Sequence, residues 1–133
     1  MPWPADRFVD ADQAQEAEVL LDARASGRFT GEGVDPVLDP RPGHVPGARS
    51  APWQGHLDPA TGHFLPAAEL RRRFETLGVG PSTDVVAYCG SGVTACHDLL
   101  ALEVAGLGST RLYTGSWSQW GADASRPAAL GLR

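Results

Sequence analysis

The residue whose surroundings point most directly to chemistry is Cys89. It opens the segment Cys89-Gly90-Ser91-Gly92-Val93-Thr94-Ala95, directly after the apolar run Val85-Val86-Ala87-Tyr88. The run reads as a buried strand and the residues from Val93 onward as a helix. A thiol at a strand-to-helix turn, followed by glycines, is expected to face backbone N–H groups and the positive end of the helix. Both favour thiolate over thiol. The thiolate is the nucleophile, so the placement describes a reactive cysteine. Cys96 lies more than a turn into the same helix, and a disulfide to Cys89 would need that helix to unwind. The spacing predicts a small core residue there.

The elements that position Cys89 follow from the apolar pattern. Val19-Leu20-Leu21 and Val85–Tyr88 read as buried parallel strands, short and not alternating. Arg111-Leu112-Tyr113 is a third candidate and Arg49-Ser50-Ala51 a weaker fourth. Asp10 to Glu18 reads as an opening helix. Pro66 to Leu77 reads as another, with Leu70, Phe74 and Leu77 on one face and Gly78 as its stop. Val93 to Ala105 is a third, ended by Gly106, with Leu99, Leu100, Leu102 and Val104 apolar. Alternating strands and helices imply an α/β fold: a mostly parallel central sheet of about five strands with helices on both faces. Ligands bind beyond the carboxyl ends of such strands, where Cys89 falls, together with Asp22 and Arg24. The stretch from Gly27 to Pro66, rich in Gly and Pro, is too long for an ordinary loop.

At this point the chain resembles a known family. Asp22-Ala23-Arg24-Ala25-Ser26-Gly27-Arg28-Phe29 is similar to the substrate-arginine segment of rhodanese-family sulfurtransferases. Gly43-His44-Val45-Pro46-Gly47-Ala48 resembles their Gly-His-Ile-Pro-Gly-Ala signature, and Cys89 to Ala95 resembles their active-site loop. Tyr113-Thr114-Gly115-Ser116-Trp117-Ser118-Gln119-Trp120-Gly121 is similar to their aromatic segment. The likeness is strongest to the catalytic C-terminal domain of two-domain 3-mercaptopyruvate and thiosulfate sulfurtransferases. It implies a rhodanese-like domain over residues 1–133 and no cofactor, and the Pro2-Trp3-Pro4 stretch would suit a linker remnant over residues 1–8.

The resemblance also implies roles. Cys89 would take the outer sulfur of a donor as a persulfide and pass it to cyanide or a thiol, a double displacement. Gly90, Gly92, Val93 and Thr94 would cradle the anionic sulfur, with Thr94 and Ser91 adding hydroxyl donors. Arg24 and Arg28 would hold an anionic donor. For Arg24 the alternative is an ion pair with Asp22, and for Arg28 a solvent-facing place. Ser91 would take part in proton transfer, as proposed for the mercaptopyruvate-type loop, which Gly90-Ser91-Gly92 resembles in lacking basic residues. The partners of that serine belong to a domain this sequence does not include. A second rhodanese-like domain, a homodimer partner or a separate chain would complete the cleft. Gln119 departs from the family's usual Glu. His44 is read as fixing its own loop rather than as a general base, and His97 as a partly exposed helix residue. His56 and His63 read as surface, and Trp117 and Trp120 as packing against the sheet edge.

Composition excludes other classes. The net charge of −5 offers no basic stripe for nucleic acid. Arg71-Arg72-Arg73, between Glu69 and Glu75, reads as a solvated helix face. No segment reaches the ~20 apolar residues of a membrane span. The start Met1-Pro2-Trp3-Pro4 is no signal peptide, so the expected location is cytoplasmic. Two cysteines are too few for a disulfide framework or a metal site. A cysteine-dependent phosphatase needs an Arg six positions after its Cys, where this chain has Ala95. A non-catalytic binding module is the remaining alternative, and the intact Cys89 loop argues against it.

Overall fold

Strand β-branching and burial set the centre of the molecule. The computed structural model describes residues 7–33, 39–90, 94–107 and 109–131. In chain order the elements are β1 (Phe8–Val9), α1 (Ala11–Gln15), β2 (Val19–Asp22), α2 (Ser26–Thr30), β3 (Arg49–Ser50), a 3-10 helix (Trp53–His56), α3 (Ala67–Thr76), β4 (Asp84–Tyr88), α4 (Ala95–Ala105), β5 (Ser109–Tyr113) and α5 (Ser116–Trp120). The strands form one five-stranded sheet in the order β1-β5-β4-β2-β3, every pairing parallel. The central strands β2 and β4 are buried nearly throughout, which explains their unbroken apolar runs.

Two cores lie on opposite faces of the sheet. On one, Leu70 and Phe74 of α3 and Leu99 and Leu102 of α4 pack on Val19, Leu21, Val85 and Ala87. On the other, Ala11 and Ala14 of α1, Phe29 of α2, and Trp117 and Trp120 of α5 pack on Leu20, Val86 and Tyr88. Each large apolar side chain so buried contributes about 1.5–3 kcal/mol. Local signals set the helix ends. Asp10 and Gln13 form a capping box at α1, Pro66 precedes α3, and Gly106, left-handed at φ 70°, ends α4.

Several expectations are corrected. The opening helix is shorter than Asp10 to Glu18, because Ala17 and Glu18 turn toward β2. Residues 1–6 lie outside the described residues, but Phe8 is no linker: it pairs with Leu112 in β1, an element the apolar pattern was too short to reveal. Cys96 is exposed rather than in the core, since Ala95 and Leu99 take the inward positions of α4. Leu100 and Val104 face outward with it. His56 is buried, whereas His63 is exposed as read. Of the three arginines, Arg72 is exposed, Arg71 reaches the Ala105 carbonyl, and Arg73 turns inward over Gly55. The long Gly/Pro-rich stretch contains α2, β3 and the 3-10 helix, and bridges at His44–Ala129 and Leu57–Phe64 tie it down.

Candidate active site

The site is built where β2 and β4 end side by side. Their register sets Asp22 opposite Tyr88, so Cys89 stands one residue beyond the sheet edge. The Ala23 N–H donates to the Tyr88 carbonyl at 2.8 Å, which continues the ladder past both strands. Cys89 is 1% exposed, with Ala95 and Leu99 of α4 in the same core cluster.

α5 clamps the backbone of Cys89 and Gly90. The Trp117 N–H donates to the Cys89 carbonyl at 2.9 Å, and the Ser118 N–H to the Gly90 carbonyl at 2.8 Å. The Cys89 N–H donates to the Ser116 hydroxyl oxygen at 3.1 Å, and that hydroxyl donates to the Tyr113 carbonyl at 2.9 Å. Ser116 is fully buried and takes φ 53°, the left-handed region that disfavours a side chain. Sequence reasoning placed Ser116 in the aromatic segment without a role, because no residue-type signal marks a left-handed serine. Ser116→Ala removes the hydroxyl that accepts the buried Cys89 N–H. It is expected to cost about 1–3 kcal/mol in urea unfolding and to slow alkylation of Cys89.

Arg24 lies beneath this clamp, inside the protein. Its side chain is 0% exposed, as is that of Asp22. Its Nε and Nη2 donate to the Asp22 carboxylate, Nη2 also to the Gly43 carbonyl at 2.7 Å, and Nη1 to Asp39 at 3.4 Å. The Trp117 ring lies 4.9 Å from its Cζ. Burial opposes the Arg24 charge, but the hydrogen bonds and charge of Asp22 more than offset it, so the guanidinium is held protonated above its ordinary range. The geometry therefore corresponds to the ion-pair alternative, with Arg24 engaged inside the protein by Asp22, Asp39 and the Gly43 carbonyl. Gly43 must be glycine here: its φ is 106°, and a Cβ would strike the Ala129 carbonyl oxygen.

Arg28 reaches the loop instead. Its Nε and Nη2 donate to Asp39 at 2.9 and 2.7 Å. A Cβ built on Gly90 would sit 2.8 Å from Arg28 Nη2, so the guanidinium overhangs the residue after the cysteine. Its side chain is 21% exposed, and among the described residues no hydrogen bond occupies Nη1. Asp22, Arg24, Asp39 and Arg28 thus form a charge ladder from the buried strand end out to the loop.

Ser91, Gly92 and Val93 lie outside the described residues. Thr94 precedes α4, and its hydroxyl makes no capping hydrogen bond. His44 donates Nδ1–H to the Phe29 carbonyl at 2.7 Å and stacks on the Phe29 ring at 3.6 Å. It is fully buried and ties α2 to its own loop. The Tyr88 hydroxyl accepts the Val45 N–H at 3.1 Å. Trp117 and Trp120 are both 0% exposed and donate to the carbonyls of Arg41 and Pro127. Gln119 accepts the Tyr113 hydroxyl at 2.7 Å, a contact that needs no charge on residue 119.

A family model described as a rhodanese-like domain matches residues 5–123 of this chain. The chain belongs to the rhodanese family. This rhodanese-like domain is 51% identical to a probable 3-mercaptopyruvate sulfurtransferase of Pseudomonas aeruginosa over 124 residues, 92% of this chain and 43% of that protein. It is 39% identical to the 3-mercaptopyruvate sulfurtransferase of Escherichia coli K12 over 108 residues, 81% of this chain and 38% of that protein. Among solved structures, the sulfur transferase subunit of yeast mitochondrial complex I superposes with a TM-score of 0.80 at 31% identity, covering 98% of this chain and 48% of that one. The rhodanese-like domain thus spans less than half the length of these relatives. Among the described residues, no helix is long and apolar enough to cross a membrane.

Proposed function

We propose that this rhodanese-like domain is a sulfurtransferase that carries a sulfane sulfur on Cys89, with 3-mercaptopyruvate as the preferred donor and thiosulfate as the alternative. The observation that carries the reading is the meeting of Cys89, at the end of β4, with Arg28, which overhangs Gly90 from α2. The relatives named for 3-mercaptopyruvate sulfurtransferase activity support the same donor.

The Cys89 thiolate attacks the outer sulfur of the donor. With 3-mercaptopyruvate a C–S bond breaks and the electron pair leaves as the enolate of pyruvate, which takes up a proton. With thiosulfate the S–S bond breaks and sulfite leaves. Either way Cys89 keeps one added sulfur. Cyanide or a thiol then attacks that sulfur, and Cys89 departs as thiolate. Arg28, held in place by Asp39, offers Nη1 to the donor's carboxylate or thiosulfonate. Arg24 acts one step removed, by fixing Asp22 and Asp39. Ser91 supplies a proton near the loop, and the N–H groups from Gly90 through Thr94 hold the added sulfur. A second rhodanese-like domain or another copy of this chain covers the site during turnover.

Arg28→Ala is expected to lower kcat/KM for 3-mercaptopyruvate about 10- to 100-fold, the loss of one or two charge-assisted hydrogen bonds. Transfer from preloaded Cys89 to cyanide should change far less. An equal loss in both half-reactions would show that Arg28 shapes the loop rather than binding the donor. Donor preference is tested by steady-state comparison of 3-mercaptopyruvate and thiosulfate on one preparation. No basic side chain stands at Gly90, Ser91 or Gly92 to welcome a dianion, so 3-mercaptopyruvate should give the higher kcat/KM. A strong thiosulfate preference would overturn that assignment.

A further inference from the structure

A buried polar cluster beside the start of α4 has no part in the reaction above. His56, the last residue of the 3-10 helix, places Nε2 2.7 Å from Asp98 Oδ1 in the first turn of α4, with side chains 1% and 0% exposed. The His56 ring lies 5.0 Å from Phe74 and 6.2 Å from the His97 ring. His97 in turn packs at 5.2 Å from Trp53 and 4.9 Å from Phe64. The pair is only half satisfied: His56 Nδ1 and Asp98 Oδ2 are buried with no hydrogen-bond partner among the described residues.

Stability is a poor reason for such a pair. A half-satisfied buried polar contact is generally no better than two apolar side chains of the same volume. Its position suggests another use. The 3-10 helix is tied to the end of β2 by the Trp53 N–H donating to the Ala23 carbonyl at 3.1 Å. It is tied on its other side by the Leu65 N–H donating to the His56 carbonyl at 2.9 Å. The His56–Asp98 bond extends this bracing to α4, which begins at Ala95, directly after the Cys89 loop.

The charge state matters as much as the contact. One proton lies between Nε2 and Oδ1. Burial, then the charge of Arg73, pushes His56 down to about 4. Burial, then the charge of Asp22, pushes Asp98 well above the usual carboxylate range, and Arg73 opposes this only in part. The groups facing the pair are thus Arg73 from α3, Asp22 from β2 and His97 from α4. Burial disfavours charge on both partners.

We propose that His56 and Asp98 are a positioning pair, which sets where α4 begins and thereby the aim and reactivity of Cys89. The proposal rests on the reading of Cys89 as the nucleophile. It is tested by the pH–rate profile of Cys89 alkylation with iodoacetamide, measured in a Cys96→Ala background because Cys96 is exposed. Asp98→Asn keeps a hydrogen-bonding group of the same shape facing Nε2, so its profile should stay within about twofold of the parent. Asp98→Leu removes the bond. Its rate near neutral pH should fall about tenfold, with the profile moved about one unit toward alkaline pH. A parental profile in Asp98→Leu, even with a lower Tm, would make the pair merely structural and overturn the proposal. So would an Asp98→Asn profile as impaired as that expected for the leucine variant. That second comparison stands even where Asp98→Leu fails to fold. Alkylation needs no sulfur donor, so failure of donor sulfuration in the parent protein would refute the proposed activity while leaving this result interpretable.

Discussion

Cys89→Ser is expected to reduce sulfur transfer from 3-mercaptopyruvate to cyanide to the uncatalysed background. A serine hydroxyl stays protonated near neutral pH and is a weak nucleophile without an adjacent base. His44 is engaged by the Phe29 carbonyl and His56 by Asp98. The fold should survive. The backbone clamp on residue 89 uses its N–H and carbonyl, which serine retains. Replacing a buried thiol of the apolar core by a hydroxyl should cost about 1–3 kcal/mol. Kinetics together with a melting curve therefore separate the two effects. Substantial residual turnover in a folded Cys89→Ser protein would place the nucleophile elsewhere.

Arg24→Met is expected to be the most damaging substitution for stability. Methionine matches the length of the arginine stem but takes the cation from the buried Asp22 carboxylate, while Asp39 keeps Arg28. Removing one partner of a buried pair costs about 3–5 kcal/mol, far more than the pair contributes over an apolar replacement. Arg24→Lys keeps the charge but cannot reach Asp22, Asp39 and the Gly43 carbonyl together, so it should fall between the two. Urea unfolding checks the order. Wild-type stability in Arg24→Met combined with a large rise in KM would show instead that Arg24 binds the donor.

Much of this arrangement was legible in the residues because it is local or periodic. The buried runs around Leu21 and Val86 announced central parallel strands. Cys89 between a strand and a helix announced the edge of the sheet at which it stands. Gly106 and Pro66 marked helix ends through backbone geometry that only they tolerate or enforce. What stayed hidden depends on contacts between distant segments. The two-residue strand β1 has no pattern of its own and exists because Phe8 and Val9 meet Leu112 and Tyr113. His56 sits in a short Gly-containing segment that looks like surface until α4 delivers Asp98. Arg24 and Arg28, four residues apart, look alike in sequence. Asp22 and Asp39 draw the first inward and leave the second over Gly90. Cys96 shows the same limit in reverse, since its small apolar side chain fits a core that Ala95 and Leu99 already fill.

The central claim, that Cys89 carries the sulfur, is tested most directly by intact-protein mass spectrometry after brief treatment with 3-mercaptopyruvate. A species heavier by one sulfur atom is expected, mapped to Cys89, lost on adding cyanide and absent from Cys89→Ser. An unchanged mass with both 3-mercaptopyruvate and thiosulfate, or an added sulfur mapped to Cys96 instead, would contradict it.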